Sequence, residues 1–305
     1  MQFAISVPQF VESGFDPGGF RRYLARAEEL GFASAWVQEH VLGSMPVLSP
    51  LEAMTYAAAC TERLRLGCAV FVTPLHSPVH LAKAIATLDQ VSQGRIEIGV
   101  GTGGRGRMFS AFGLSPDRLV GRFTEGLRLM KELWTSPQVT FDGRFWQLDG
   151  VAMEPKPVQR PYPPLWFGGS HPDALARAAE YGDGFFGAGS VTTAQFAEQV
   201  PVMRAALAAR DRDQATFRLA KRVYLAVDDD AGRARERMAD ALDNLYGGLG
   251  RRDMTPVAVF GPPDAVAQEL REVAEAGAEL ILLNPLFDAA EQMERLAAEV
   301  VPQLS

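Results

Sequence analysis

Residues 64–101 read LRLGCAVFVTPLHSPVHLAKAIATLDQVSQGRIEIGVG, and the way this stretch divides decides the fold. Leu64 to Phe71 is an apolar run, too continuous for a strand with one wet face and suited to a parallel strand buried on both sides. Ser77-Pro78 opens a helix that runs to Val91. Arg95 to Val100 is a second apolar strand.

The same alternation continues in both directions. Upstream, Phe3 to Val7 is a strand, and Asp16-Pro17 opens a helix that reaches Leu30 and stops at Gly31. Ala33 to Val37 is the next strand, and Ser49-Pro50 starts a helix to Thr61. Downstream, a helix spans Gly121 to Trp134. An interruption follows. Val139 to Phe141 and Phe145 to Leu148 flank Asp142-Gly143 as a hairpin, and residues 155–164 carry five prolines, an extended connector. Alternation then resumes with strand Pro164 to Phe167, helix Asp173 to Tyr181, strand Gly184 to Phe186 and helix Thr193 to Ala209. Strand Phe217 to Val227 and helix Asp230 to Leu245 come next. After a glycine-rich segment come helix Pro263 to Ala276, strand Glu279 to Leu283 and helix Ala289 to Val300. Eight core strands, each followed by a helix, predict a single (β/α)8 TIM barrel over residues 1–305. The hairpin and Pro-rich connector are inserted after the fourth βα unit. A doubly wound open sheet is the competing arrangement.

Composition narrows the function classes. The 305 residues are 47% hydrophobic and 22% charged, with a net charge of −7, which argues against nucleic acid or an anionic membrane as the main partner. No apolar run reaches the roughly 20 residues of a membrane span. The opening MQFAISVPQF lacks a basic region before a long apolar stretch, so a cytoplasmic protein is expected. Cys60 and Cys68 are expected to be reduced, buried thiols.

Active sites of such barrels form at the C-terminal ends of the strands. Those ends hold Pro8-Gln9, Glu39-His40, Phe71 to Pro74, Gly101 to Gly104, Gly168-Gly169-Ser170, Gly187 to Ser190 and Asn284-Pro285. Glycine lets a backbone approach a ligand and leaves N–H groups free for phosphate or a ring edge. Gly168-Gly169-Ser170 also leads into a helix start at Pro172-Asp173, a ready anion site. His40 can exchange a proton near neutrality. The GxGxxG over residues 99–104 is not a dinucleotide fingerprint, because it lies a long way into the chain and no apolar helix follows. His76 and His80 are separated by Pro78 and lack acidic partners, so no metal site is predicted. His171 is expected to cap the following helix, and Ser190 has no triad partners. Arg105, Arg107, Arg118 and Arg122 form either a solvated face or a collar for an anionic ligand tail.

Several stretches, taken in order, resemble the bacterial luciferase-like superfamily of flavin- and deazaflavin-dependent oxidoreductases. They are Trp36 to His40, Leu66 to Pro74, Ala86 to Arg95, Ile98 to Gly103, the hairpin with its connector, Phe167 to Ser170 and Gly182 to Gly184. The chain looks most like the branch using coenzyme F420, an 8-hydroxy-5-deazaflavin that transfers hydride. That branch usually ends strand two with Asp-His; here it is Glu39-His40. The resemblance implies a cofactor site of Glu39, His40, Val70, Phe71, Thr73, Thr102, Gly103, Arg107, Gly168, Gly169 and Ser170. It also implies a non-proline cis peptide at Val70-Phe71 or next to it. His40 would be the catalytic acid/base, and Glu39 an anchor for the ring or the imidazole. Sugar-phosphate dehydrogenase members carry a glutamate after Thr-Gly and a Trp soon after the His. Gly104 and the missing Trp point away from that substrate. Two other readings are an FMN-dependent monooxygenase acting with oxygen and a non-catalytic flavin-binding barrel. The expected partners are a small-molecule substrate and a second copy in a homodimer. The loop Gly247 to Arg252 reads as a lid or a connector.

Overall fold

The computed structural model describes residues 1–11, 14–103 and 108–304. Short polar residues start most of the helices. Asp16 accepts a hydrogen bond from the Gly18 N–H, Asp230 from those of Gly232 and Arg233, and Thr192 forms a reciprocal capping box with Gln195. Ser49 and Ser77 make no such bond; there the first-turn prolines Pro50 and Pro78 set the entry. The elements are β1 (Gln2–Ser6), α1 (Pro17–Glu29), β2 (Ser34–Val37), α2 (Pro50–Cys60), β3 (Arg65–Val72), α3 (Pro78–Val91), β4 (Ile96–Gly101), a short α4 (Met108–Ala111) and α5 (Leu119–Thr135). They continue with β5 (Val139–Asp142), β6 (Gln147–Val151), β7 (Leu165–Gly168), α6 (Pro172–Tyr181), β8 (Gly184–Gly187), α7 (Thr193–Ala208), β9 (Arg218–Val227) and α8 (Ala231–Tyr246). The last are β10 (Ala258–Gly261), α9 (Pro263–Glu275), β11 (Leu280–Pro285) and α10 (Ala289–Arg295).

All barrel pairings are parallel. The order β1-β2-β3-β4-β7-β8-β9-β11 closes because β1 pairs with β11, so among the described residues eight strands form a (β/α)8 barrel. The helices pack around it, and the main core lies between helices and strands. Inside, Trp36, Trp166 and Phe186 meet edge to face with centroids 4.8–6.0 Å apart and plug the barrel. Gly67 and Gly184 make room for them, since a Cβ at either would overlap an indole ring. Beyond the plug, Arg222 of β9 donates to Gln38 Oε1 at 3.0 Å and to the Ala69 carbonyl at 2.7 Å. Polar groups therefore begin at Arg222, and the barrel mouth opens past them.

Three details depart from the sequence reading. β10 falls in the glycine-rich segment that the sequence shows between α8 and α9; its four residues pair with Tyr224–Val227, the half of β9 that β8 leaves uncovered. The hairpin turn is not the pair Asp142-Gly143. Asp142 pairs with Gln147, leaving a four-residue loop whose Arg144, Phe145 and Trp146 N–H groups all donate to Glu125 of α5. Arg122 lies 4.6 Å from the Trp146 ring centroid and so braces this insertion, while Arg105 and Arg107 lie outside the described residues. Cys60 and Cys68 are free thiols, half-buried and buried. Among the described residues no helix is long and apolar enough to cross a membrane.

Candidate functional site

The site grows out of an irregularity in β3. The Ala69-Val70 peptide is cis, the bond next to Val70-Phe71 and within the stretch the resemblance implied. The register between β3 and β4 shifts there, between Cys68 and Phe71. Val70 then projects into the gap between the ends of β4 and β7. A Cβ on Gly101 would come within 2.8 Å of Val70 Cγ2, and one on Gly168 within 2.9 Å of Val70 Cγ1. These two rim glycines thus accommodate Val70. Gly169 has φ +148°, and a Cβ there would lie 2.8 Å from Ala174, so both backbone and space demand glycine.

A cavity of about 280 Å³ opens over this bulge. Ala69, Val70, Gly101, Thr102, Gly103, Gly168 and Gly169 form one wall, and Phe186 with Gly187 to Ser190, Arg222, Tyr224 and Tyr246 form the other. Of the residues expected to bind cofactor, the structure brings Val70, Thr102, Gly103, Gly168 and Gly169 together here. The Phe71 side chain does not join them: it is buried in the main core, edge-on to His76. Thr73 begins a short 3₁₀ turn, and its buried Oγ1 has no partner among the described residues. Ser170 is exposed. Arg107 lies outside the described residues. His171 caps α6 as expected, its Nδ1 accepting from the Asp173 N–H, so part of that helix terminus is already satisfied.

Glu39 and His40 part company. The Glu39 carboxylate is 3% exposed; Oε2 accepts the Val72 N–H at 2.6 Å and Oε1 meets His76 Nε2 at 2.7 Å. It therefore ties the end of β2 to the end of β3 and orients His76, not His40. His40 is half-buried, and burial pushes its pKa below the usual imidazole value. The Arg222 guanidinium lowers it further, and Glu39 opposes this only in part. Burial and the Arg222 charge both favour the neutral imidazole over the imidazolium.

Arg222, Tyr224 and Tyr246 were not picked out from sequence. The two phenols share a 2.8 Å hydrogen bond at the edge of the cavity. The visible signal is Lys221-Arg222, two cations inside the otherwise apolar run LAKRVYLAV, Leu219 to Val227. Lys221 is 2% exposed and donates to the Ala188 carbonyl at 2.8 Å, fixing the turn after β8. Burial, and next the Arg222 charge, push its pKa down to about 7.

A family profile described as "Luciferase-like monooxygenase" matches residues 1–280. An F420-dependent glucose-6-phosphate dehydrogenase of Kineococcus radiotolerans is 27% identical, over 95% of this chain and 94% of that protein. An uncharacterized protein of Sinorhizobium fredii is 34% identical, but the match spans 52% of this chain and 46% of that protein. Among solved structures, a monooxygenase of Streptomyces bottropensis superposes with a TM-score of 0.84 at 26% identity, covering 100% of both chains.

Proposed function

The chain belongs to the luciferase-like monooxygenase family, and from that premise we propose that it is an oxidoreductase transferring hydride between coenzyme F420 and a small organic substrate. The observation that carries the proposal is the cavity over Val70. It is walled by the Val70 side chain and by the strand-end backbone of β4 and β7. Such a wall offers the Val70 side chain and strand-end backbone as a surface on which a planar ring system can lie. Thr102 and Gly103 would hold the ring edge through backbone groups, and Gly168, Gly169 and Ser170 the phosphate of the tail. Bound F420 supplies a hydride acceptor or donor at its central ring.

The protein's own part is proton handling and positioning. Neutral His40 can take a proton from a substrate hydroxyl as hydride leaves, or return one in the reverse direction. Burial, and next the positive charge of Arg222, disfavour the protonated form of that imidazole between turnovers. Glu39 acts through the end of β3 by fixing Val72 and His76. The second reading, an FMN-dependent monooxygenase, is favoured by the full-length likeness to the Streptomyces bottropensis monooxygenase.

Titrating the purified protein with F420 and, separately, with FMN distinguishes the two. An F420 absorbance change that saturates, followed by substrate-dependent bleaching or recovery of the chromophore, is the expected result. Tight FMN binding without F420 binding would overturn the F420 reading in favour of the monooxygenase. Binding of either cofactor without turnover across a panel of alcohols and ketones would leave a non-catalytic barrel.

A further inference from the structure

Two more cavities lead outward in series from the one over Val70. One of about 170 Å³ runs from Ser6 to Phe10 past Trp36 and Gln38 to Asn284 and Phe287, and Arg222 lines both it and the Val70 cavity. Phe10, Leu286 and Phe287 in turn connect it to an open groove of about 970 Å³. One wall of the groove is apolar, formed by Phe10, Val11, Met45, Pro46, Leu286 and Phe287. The opposite wall is a single face of α8, with Arg237, Asp240, Ala241, Asn244 and Leu245 at helical spacing.

The charges of this groove are largely committed. The Arg237 guanidinium stacks 4.0 Å from the Phe287 ring centroid and is paired with Asp288. That leaves Asp240 and a net negative wall, which disfavours a phosphate or carboxylate. A volume near the top of the range for drug-sized ligands, about 300–1,000 Å³, is far more than a simple sugar requires.

We propose that the groove and the smaller cavity behind it receive the substrate's body, and that the substrate is a bulky, uncharged, ring-bearing molecule with hydrogen-bonding groups along one edge. This rests on the oxidoreductase reading above, and it assigns a substrate class to that site. The apolar wall takes the face of the rings. Asn244 and Asp240 meet the polar edge, and the reacting end passes Arg222 toward the cavity over Val70.

The test uses 1-aminoanthracene, a neutral three-ring fluorophore, with Ala241→Trp to fill the groove from α8. Saturable, one-to-one fluorescence enhancement is expected in the wild type and at least a tenfold weaker Kd in the variant. Cofactor affinity should stay within twofold in both, and saturating cofactor should leave the probe's Kd within twofold. Millimolar glucose 6-phosphate should not displace the probe. Should Ala241→Trp melt early, Asn244→Trp, on the exposed part of the same face, serves in its place. Absent probe binding, a probe affinity indifferent to the filling variant, or displacement by the sugar phosphate would each overturn the proposal. Failure of F420 and FMN to bind while the probe still obeys the variant would instead remove the oxidoreductase reading and leave the groove.

Discussion

Removing the Glu39 carboxylate separates a brace from a catalyst. In Glu39→Ala the Val72 N–H loses its 2.6 Å acceptor, and His76 Nε2 loses a partner at 2.7 Å. Leaving a buried donor unsatisfied costs about 1–3 kcal/mol, and a hydrogen bond to a charged group contributes about 1.5–3 kcal/mol. Allowing for overlap between the two, a loss of about 3 kcal/mol is expected. At about 2–4 °C per kcal/mol for large domains, Tm should fall by roughly 6–12 °C. Glu39→Gln keeps an acceptor for Val72 and should lose only about 1 kcal/mol. His76→Ala in each background completes a double-mutant cycle, and the coupling between Glu39 and His76 should be on the order of 1 kcal/mol. Thermal melts and kcat are measured on the same preparations. A normal Tm in Glu39→Ala together with a hundredfold loss of kcat would refute the brace, because the carboxylate would then act on the ring or on His40.

Three other outcomes follow from the site. His40→Ala should lower kcat about 10²-fold or more with cofactor affinity little changed, and the acidic limb of the wild-type kcat profile should lie below the ordinary imidazole value; in Arg222→Gln that limb should move up, and an unmoved limb would remove Arg222 from the account. Lys221 has a folded pKa of about 7, so between there and its ordinary value the unfolded chain binds the extra proton and stability must rise with pH; Lys221→Met should flatten the rise in Tm over that window, and an unchanged slope would contradict it. Gly169 is a poor place to probe the phosphate, given its φ of +148° and the nearness of Ala174, whereas Ser170→Asp adds charge on an exposed side chain and should weaken F420 binding several-fold with Tm unchanged; equal affinity would remove Ser170 from the phosphate loop.

The barrel was readable because its strands are buried on both faces, which leaves short, unbroken apolar runs between capped helices. Leu64 to Phe71 and Arg95 to Val100 fell within a residue or so of β3 and β4. β10 was not readable: AVFG is four residues long and sits between a proline turn and Pro262-Pro263, with too little length for any period to show. Nor could local sequence announce where Val70 goes, since the gap it enters exists only once Gly101 and Gly168 are brought side by side by β4 and β7.

Glu39 and His40 show how adjacency in sequence misleads at a strand end. Neighbouring side chains on extended backbone point to opposite faces, so a residue seldom orients the one beside it. From β2, Trp36 and Gln38 face the barrel axis, where they meet Trp166 and Arg222. Val37 faces the helices, in the main core. Continuing the alternation sends Glu39 outward to Val72 and His76, and it leaves His40 on the side of the Arg222 charge that depresses its pKa. The same rule divides Lys221 from Arg222 on β9: one fixes the Ala188 turn, and the other enters the barrel and holds the Ala69 carbonyl. Two polar pairs that look like units in the sequence are therefore each split across the barrel wall. In each, the outward member holds a strand end or turn in place, so its substitution should act first on Tm; of the inward members, Arg222 lines two cavities and His40 lies within reach of its charge, so their substitutions should act on catalysis and pH profile.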